Sequence, residues 1–412
     1  MGISPATPLV TQVKAIIQDK WDIFFLTILI ISMGQLSLGL IFPLLPWISD
    51  SFDINQRVVE WVIIGYLLGY GPSQLIYGPL SYIYGRRLTL FVGLFISILG
   101  LMIIFLFSNE FYCLVIGRFI QGVGSGCESV IARSILHDSY KNKFFLTVVT
   151  GLSIISAFIP IFSPIVGGLV NHNFGWVAVF NVLLIYIILG YLVLVFYLPE
   201  TLKTSRDKIS FIPIVLYYRD LLTDRYFLSY AIMGWINWAL VIFCGALSPF
   251  IFERQFGLSS EAYAYWTIIP AVAFLLSSFL CFIFRKSYGT HHIVFIAPFI
   301  QFVVGLLFFL YPSNLFIITC GFIGIAVAQA FIYPCSQSLL LVPYSNKFGT
   351  VSALSGSGQM ISAALFILFF IYAGFDHILS LAILIILTAF IGLILAIIGK
   401  YSQAYAMLNA TD

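Results

Sequence analysis

Twelve apolar stretches of 20 to 27 residues follow one another along this 412-residue chain. A helix needs about 20 predominantly apolar residues to cross about 30 Å of hydrocarbon, with its backbone amides bonded internally. The stretches lie at 23–47, 57–80, 88–107, 111–136, 144–170, 175–198, 226–250, 261–284, 291–311, 315–341, 349–373 and 377–399. The sequence therefore predicts an all-α polytopic membrane protein with twelve transmembrane helices.

The composition excludes a water-soluble fold. Hydrophobic residues make up 61% of the chain and charged residues only 8%, whereas soluble domains average about 45–50% and about 25%. The first apolar stretch, 23–47, is much longer than the apolar core of a signal peptide, which has about 7–15 residues. We therefore expect this stretch to be retained as the first span.

The chain lacks sequence patterns of an enzyme, a metal site or a nucleic-acid-binding protein. Its six cysteines show no metal-ligand spacing, its five histidines fall near predicted span ends, and HExxH and GxSxG do not occur. The net charge of +3 is small and dispersed. We expect no catalytic residues, metal, cofactor or nucleic acid, and we expect the lipid bilayer and a small-molecule substrate as partners.

The distribution of cations predicts the orientation. With both termini placed in the cytoplasm, fifteen Lys and Arg residues fall inside, and only Arg57 and Arg254 fall outside. The remaining two cations, Arg118 and Arg133, lie within the fourth span. Because cytoplasmic loops carry the excess of Lys and Arg, this bias predicts a multi-pass protein with both termini in the cytoplasm.

A charged connection and an internal repeat divide the chain into similar halves. The segment 199–225 carries far more charge than any other loop. At an offset of 204 residues, the sequence aligns Tyr140, Asn142, Lys143 and Phe144 with Tyr344, Asn346, Lys347 and Phe348. We predict an N-terminal six-helix bundle at 1–198, a cytoplasmic linker at 199–225 and a C-terminal six-helix bundle at 226–412. An even number of spans in each half makes the repeats parallel.

Three motifs carry a resemblance to a known family. Residues 78–90 read GPLSYIYGRRLTL, residues 118–126 read RFIQGVGSG and residues 159–168 read IPIFSPIVGG. They are similar to the loop motif after span two, the buried-arginine motif of span four and the antiporter motif of span five in the major facilitator superfamily. Within that superfamily, the chain resembles the drug:proton antiporters of the bicyclomycin-resistance (Bcr/CflA) type.

The resemblance implies the major facilitator fold and secondary active transport by alternating access. Its branch exports lipophilic drugs and other small molecules from bacteria, with the proton gradient as the energy source and no cofactor. We therefore expect a multidrug efflux antiporter in the bacterial cytoplasmic (inner) membrane, and we expect it to act as a monomer. The alternatives are transport of a specific metabolite or a polycarboxylate siderophore with different coupling and, more remotely, a membrane-embedded enzyme.

The loop after span two is a candidate gate. Glycines at both ends allow a tight reversal of the chain, and the arginines that follow anchor the next helix at the cytoplasmic surface. In the family, this loop acts as a latch between the halves, but Tyr82 stands where the motif has aspartate. The predicted gating residues are Gly78, Tyr82, Gly85, Arg86 and Arg87.

Two charged residues of span four are candidates for proton and substrate coupling. A charge inside a span is costly unless it faces water or a partner, which makes Arg118 and Glu128 functional candidates. A carboxyl group removed from water is suited to bind and release a proton. Two structural alternatives remain: Arg118 hydrogen-bonds to span one, for example to Gln35, and Arg133 neutralises Glu128.

Span one lacks an acid that the antiporter branch normally carries. Gly39 stands at the expected position, just before the Pro-x-x-Pro stretch. Either Glu128 has taken over the role, or the protein moves a neutral or anionic substrate with different coupling.

Span five is a candidate hinge. Its prolines remove backbone hydrogen bonds and its glycines permit close helix contact. A bent, tightly packed helix is the simpler interpretation, and the resemblance implies a hinge and leak seal between the halves. The predicted hinge residues are Pro160, Ser163, Pro164, Gly167 and Gly168, where Ser163 replaces the glycine of the motif.

Polar and aromatic residues within the spans are candidates for a central substrate cavity, where aromatic faces and a few amides bind lipophilic compounds. Each of them can equally be a helix-packing residue. The candidates are Gln35, Tyr66, Tyr70, Gln121, Trp235, Asn237, Gln329 and Gln359.

Overall fold

The computed structural model of the chain describes residues 9–140, 148, 152, 159, 162–202, 211–341, 343–344, 348–375 and 377–409. Every regular element within these ranges is a helix. The first half contains α1 (Leu9–Gly39), α2 (Leu45–Ser51), α3 (Gln56–Val59), α4 (Trp61–Ile83), α5 (Arg86–Leu106), α6 (Phe111–Ser139), α7 (162–174) and α8 (Trp176–Tyr197).

The second half follows a helix on the predicted linker. The elements are α9 (Phe211–Thr223), α10 (Arg225–Pro249), α11 (Ser260–Trp266), α12 (Ile268–Tyr288), α13 (Thr290–Ile293), α14 (Ile296–Leu310), α15 (Leu315–Leu341), α16 (Phe348–Tyr372) and α17 (Ile378–Asn409). A π-helical turn, Phe250–Gln255, extends α10.

The helices have the lengths that membrane crossing requires. Within the described ranges, nine helical segments are long and apolar enough to cross a membrane. Two more helices, α4 and α6, have 23 and 29 residues, and α7 overlaps the end of the predicted span 144–170. The chain is an all-α polytopic membrane protein with twelve transmembrane helices in two parallel six-helix repeats.

The first predicted span is not one continuous helix. α1 ends at Gly39, a 3-10 turn occupies Phe42–Leu44, and α2 continues to Ser51. Pro43 and Pro46 cannot donate backbone hydrogen bonds, so the helix is interrupted where they occur. The interruption lies near the end of the span that is predicted to face outward.

Close backbone packing joins α4 to α6. A Cβ atom on Gly69 would overlap the carbonyl oxygen of Phe119, and a Cβ atom on Gly122 would overlap that of Tyr66. Small residues allow helices in a bilayer to approach this closely, and packing is the main source of helix association there. The two helices therefore form a firm support for the side chains that they carry.

The two halves meet along α4 and α16. Near the predicted outer side, the Trp61 Nε1 group donates a hydrogen bond to the Tyr372 hydroxyl at 3.2 Å. Farther along, Gly71 packs against the backbone of Ser357, and at the other end of α4 the Tyr82 hydroxyl faces Gly349. This long contact places the remaining polar residues of α4 and α6 close to the boundary between the halves.

Candidate functional site

Arg118 ties three helices of the first half together. Its side chain on α6 is fully buried. The Nε group donates to the carbonyl oxygen of Val62 on α4 at 3.2 Å, and Nη1 donates to the carbonyl oxygen of Ser37 on α1 at 3.0 Å and to Oε1 of Gln121 at 2.7 Å. The guanidinium carbon lies 4.2 Å from the centre of the Tyr66 ring. Arg118 thus bonds to α1 through Ser37 and not through Gln35.

Glu128 is buried without a cation partner among the described residues, and the Ser125 hydroxyl of the same helix lies beside its carboxyl. Only 1% of the residue is exposed, and neither carboxyl oxygen makes a hydrogen bond of good geometry with a described residue. The carboxyl lies against Gly34 of α1, where a Cβ atom would overlap Oε2 of Glu128 and would lie 3.6 Å from the Tyr70 hydroxyl. A carboxyl in this position can carry a proton, because nothing around it fixes its charge.

Arg133 is engaged elsewhere. Its Nε group donates to the carbonyl oxygen of Ser129 at 2.9 Å, and its Nη1 group donates to the hydroxyl of Ser352 on α16 at 2.6 Å. Among the described residues, no ion pair joins Arg133 to Glu128. Arg133 therefore links the two halves of the protein and does not neutralise the carboxylate.

A second buried carboxyl belongs to Glu60, at the N-terminal end of α4. The residue is fully buried, and neither of its carboxyl oxygens has a hydrogen-bond partner among the described residues. Glu60 lies close to the outer end of the predicted span 57–80. Because both carboxyl groups are buried, the Glu60→Gln variant is a suitable control for Glu128→Gln.

The structure groups some cavity candidates around Arg118. The Tyr66 and Tyr70 rings lie 5.6 Å apart, and the Tyr66 hydroxyl donates to the carbonyl oxygen of Gly34 at 3.2 Å. Gln121 accepts from Arg118, while Gln35 on α1 is partly buried with its Oε1 atom unpaired. These residues make a polar and aromatic surface on α1, α4 and α6.

The candidates of the second half are dispersed. The Trp235 Nε1 group donates to the carbonyl oxygen of Ser355 on α16 at 3.0 Å. Gln329 and Gln359 are both buried. Asn237 instead lines a cavity of about 10 Å³ inside the second half, together with Gln301 and other residues of that half. Asn237 is therefore not part of the group around Arg118.

The loop after α4 is held by acids that the motif does not contain. Arg86 Nε donates to Asp138 at 2.9 Å, and the Arg86 guanidinium carbon lies 3.9 Å from the centre of the Tyr82 ring. The backbone amides of Arg86 and Arg87 donate to Glu200 at 3.1 and 3.0 Å. Glu200 thereby caps α5, whose preceding Gly85 has a φ of +92°. Gly78 lies one turn before the end of α4, against Val130.

The sequence analysis did not identify Asp138 or Glu200 as members of this site. The run LPET at 198–201 was a usable signal for Glu200, since it ends the sixth span on the same side as the loop.

Gly39 and Ser163, two residues that differ from the family motifs, pack against each other. A Cβ atom on Gly39 of α1 would overlap the hydroxyl of Ser163 on α7, and a Cβ atom on Gly167 would overlap the carbonyl oxygen of Leu40. Pro164 and Gly168 also lie on α7, while Pro160 lies outside the described residues. Ser163 therefore fills the space that a side chain at position 39 would need.

An ion pair links the halves on the predicted outer side. Arg254, just after α10, donates to Asp50 of α2 at 2.5 Å. The side chains of His172 and Glu261 also approach each other across the halves, with Nε2 and Oε2 at 3.9 Å. The distribution of cations predicted Arg254 on the outer side, but its pairing could not be predicted, because a loop sequence does not show which loops are neighbours.

Comparison with known proteins places the chain in a family. The family model of the Major Facilitator Superfamily matches residues 25–367. Multidrug resistance protein D of Escherichia coli (strain K12) is 24% identical over 84% of this chain and 87% of its own length. Multidrug resistance protein MdtL of Shewanella sp. (strain ANA-3) is 23% identical over 78% of this chain and 82% of its own length.

Solved structures of low identity share the fold. The D-xylose-proton symporter matches with a TM-score of 0.68 at 16% identity, over 90% of this chain and 97% of that structure. The human organic anion transporter MFSD10 (TETRAN) matches with a TM-score of 0.63 at 16% identity, over 90% and 99%. With the family match over most of the sequence, these likenesses lead to one conclusion: the chain belongs to the Major Facilitator Superfamily.

Proposed function

We propose that this chain is a secondary active transporter that exports lipophilic drugs or other small molecules in exchange for protons. Relatives named multidrug resistance proteins cover most of its length. The observation that carries the proposal is Glu128, whose buried carboxyl has no cation partner among the described residues and has the Ser125 hydroxyl of its own helix, rather than a charge, as a neighbour. An unpaired charge is expensive at that depth, so the group is suited to a role that alternates between a charged and a neutral form.

In this mechanism the substrate binds between the halves and the halves rock around it. Tyr66, Tyr70, Gln35 and Gln121 supply the binding surface of the first half, and Trp235, Gln329 and Gln359 supply that of the second. Glu128 releases its proton when the site is open to one side and takes up another when the site is open to the other side. Arg118 holds α1 and α4 around this surface.

The contacts between the halves supply the gates. On the inner side, Gly78 and Tyr82 lie in the end of α4, Gly85 lies in the short turn, and Arg86 and Arg87 begin α5, whereas a longer loop was predicted. This segment faces the start of α16 through Tyr82. Residues Ser163, Pro164, Gly167 and Gly168 of α7 form the hinge that packs on α1. On the outer side, the ion pair between Asp50 and Arg254 closes the path. Rocking requires each set of contacts to form and break in turn.

We also propose the predicted organisation and location. Residues 1–198 and 226–412 form the two moving bundles, 199–225 is a cytoplasmic linker, and both termini lie in the cytoplasm. The protein acts as a monomer in the bacterial inner membrane. Cysteines introduced one at a time at residues 2 and 255 test the orientation: a membrane-impermeant thiol reagent added to intact cells should label only the second.

The alternative is transport of a specific metabolite or a polycarboxylate siderophore. Arg118 and the glycine at position 39 motivated this alternative. In the structure, however, Val62, Ser37 and Gln121 already occupy two of the guanidinium nitrogens of Arg118. These bonds give Arg118 a structural use, whereas its Nη2 group is buried without a partner among the described residues and is the nitrogen left to bind a carboxylate substrate.

Purified protein in proteoliposomes tests the proposal. With an acidic lumen, protons leaving through an antiporter should drive the lipophilic cation tetraphenylphosphonium inward, and collapse of the gradient with a protonophore should stop this accumulation. Glu128→Gln should abolish gradient-driven accumulation, and Glu60→Gln, the matched control, should retain it. Gradient-independent movement of the probe, or full coupling in Glu128→Gln, would refute the assignment of Glu128.

A further inference from the structure

We infer that Gly34 of α1 is a positioning residue that seats the protonated carboxyl of Glu128; this inference rests on the proposed proton coupling. The absence of a side chain at Gly34 leaves a notch in α1, and the Glu128 carboxyl occupies it. A Cβ atom in the notch would overlap Oε2 of Glu128.

Tyrosines hold the notch in place. The Tyr66 hydroxyl donates to the Gly34 carbonyl oxygen at 3.2 Å, and the Tyr66 ring lies under the guanidinium of Arg118. The Tyr70 hydroxyl lies at the mouth of the notch. Arg118 and Glu128 are therefore connected through Tyr66 and the backbone of Gly34, although they do not contact each other within α6.

The surroundings of the notch suit a neutral carboxyl. The ionisable groups that face Glu128 are weak acids, which are uncharged at neutral pH: Tyr66, Tyr70 and Tyr77 on α4, Cys127 on α6 and Tyr186 on α8. The cations on α6 are bonded to other groups: Arg118 to Val62, Ser37 and Gln121, and Arg133 to Ser129 and Ser352.

The protonation state therefore decides whether the notch is filled. A buried carboxylate without a partner costs far more free energy than a buried neutral carboxyl. When Glu128 takes up one proton from water, the neutral carboxyl fits the notch and packs α6 against α1. When the proton leaves, the carboxylate must withdraw from the notch toward water. Proton binding thereby controls the fit between α1 and α6.

Gly39 offers a matched control on the same helix. A Cβ atom there would also overlap a polar side-chain atom, the hydroxyl of Ser163. Gly39→Ala and Gly34→Ala thus add the same methyl group to the same helix, and only Gly34→Ala displaces a carboxyl. At Gly34 the obstructing atom ends a side chain that can rotate away. At Gly39 the Ser163 hydroxyl can rotate, but the Cβ atom of Ser163 would lie 2.8 Å from the new methyl group, so α7 must also shift slightly.

Infrared difference spectra between low and high pH measure the carboxyl directly, without a substrate. Protein reconstituted in lipid should show a C=O band of protonated Glu128 that is absent in Glu128→Gln. Gly34→Ala should move this band to lower wavenumber, because the displaced carboxyl gains hydrogen bonds to water. Gly39→Ala should leave the band in place. If Gly34→Ala does not fold, Glu128→Asp tests the same point, since its shorter side chain withdraws the carboxyl from the notch.

Transport supplies the second measurement. Gly34→Ala should reduce gradient-driven tetraphenylphosphonium accumulation about tenfold or more, because misplacing a reacting group by about 1 Å can cost that much. A band that is unmoved in Gly34→Ala or Glu128→Asp, or moved equally in Gly39→Ala, overturns the inference. If the infrared band shifts as expected but the protein shows no proton-coupled transport, the role of Gly34 is supported and the proposed function is refuted.

Discussion

The two halves use the same position of the repeat in opposite ways. Arg118 on α6 and Phe322 on α15 are related by the repeat offset of 204 residues. Arg118 bonds to α1 and α4 and stacks on Tyr66. Phe322 instead packs among aromatic rings, with centroids 5.3 Å from Trp266, 5.6 Å from Phe252 and 5.8 Å from Phe308.

The difference separates the fold from the chemistry. A charged, hydrogen-bonded side chain and an aromatic one support equivalent helices, so the fold needs a large packed group there but no charge. Glu128 follows the same rule, because its repeat equivalent is Ile332. The charged residues of the membrane interior that were singled out, Arg118 and Glu128, thus both lie in the first half. At the equivalent positions, the second half has apolar or aromatic side chains.

The largest effect on stability is expected when the second half receives an arginine at the position that corresponds to Arg118. Phe322→Arg places a guanidinium among aromatic rings without the carbonyl partners that Arg118 has. A charge at the centre of a membrane helix costs about 2.5–3.5 kcal/mol on insertion scales. We expect loss of folded protein, seen as a loss of the monodisperse peak in size-exclusion chromatography. Phe322→Leu should remain folded. A stable Phe322→Arg protein would show that the second half holds a site for a cation.

Removal of the Arg118 side chain should have the next largest effect on stability and transport. Arg118→Ala leaves the Ser37 and Val62 carbonyl oxygens and the Gln121 amide without their donor, which we expect to cost about 2–5 kcal/mol. The melting temperature of the purified protein and the rate of tetraphenylphosphonium transport should both fall. Arg118→Lys keeps the charge but loses the planar fork, and it should recover only part of either quantity. Full activity of Arg118→Ala would exclude Arg118 from the mechanism.

A moderate effect on transport is expected when a hydrogen bond between the two halves is removed, and a smaller one when a bond within one half is removed. Arg133 bonds to Ser352 across the halves, whereas its repeat equivalent Gln337 bonds to Ser355 within the second half at 3.1 Å. Arg133→Ala removes a contact that rocking must break, so the transport rate should change by up to about ten- to a hundredfold, as expected for a charge-assisted bond of about 1.5–3 kcal/mol.

Gln337→Ala is the matched control for that variant. It should lower the melting temperature slightly and leave the transport rate unchanged, because its bond does not break when the halves move. Equal effects of the two variants on transport would show that the bond to Ser352 is not part of the gate.

The smallest effect should come from the outer ion pair. Asp50 and Arg254 are 72% and 48% exposed, so water and salt screen their attraction and the pair contributes less than about 1 kcal/mol. Asp50→Asn should alter the transport rate less than about fivefold, and the difference from the native protein should shrink as the salt concentration rises. A large, salt-independent effect would mean that Asp50 contacts the substrate or the proton.

Much of the fold could be predicted from the sequence, because hydrocarbon imposes a simple rule on length and polarity. The apolar stretches predicted the helices and their order, and the family comparison confirmed the superfamily. The interruption after Gly39 was missed, although Pro43 and Pro46 were visible, because the stretch remains apolar throughout.

The candidate site could be predicted only in part. Depth in a span singled out Arg118 and Glu128, but their partners are set by helix rotation, which the sequence of a helix that is apolar on most faces does not reveal. The contact of Glu128 with Gly34 and that of Gly39 with Ser163 both depend on the absence of a side chain. The role of such a glycine cannot be predicted from the sequence, because it depends on which side chain of a neighbouring helix lies against it.

The pair of Asp50 and Arg254 has a consequence for how such a protein can arise. In the register of 204 residues that aligns Tyr140 with Tyr344, Asp50 corresponds to Arg254, and in that register the contact joins equivalent positions of the two halves. Equivalent positions that touch lie at the twofold axis, where two identical chains would present the same residue to itself. Aspartate would meet aspartate and arginine would meet arginine. An attractive pair at this point is therefore open only to a fused, duplicated chain whose copies mutate independently, and not to a symmetric pair of identical subunits.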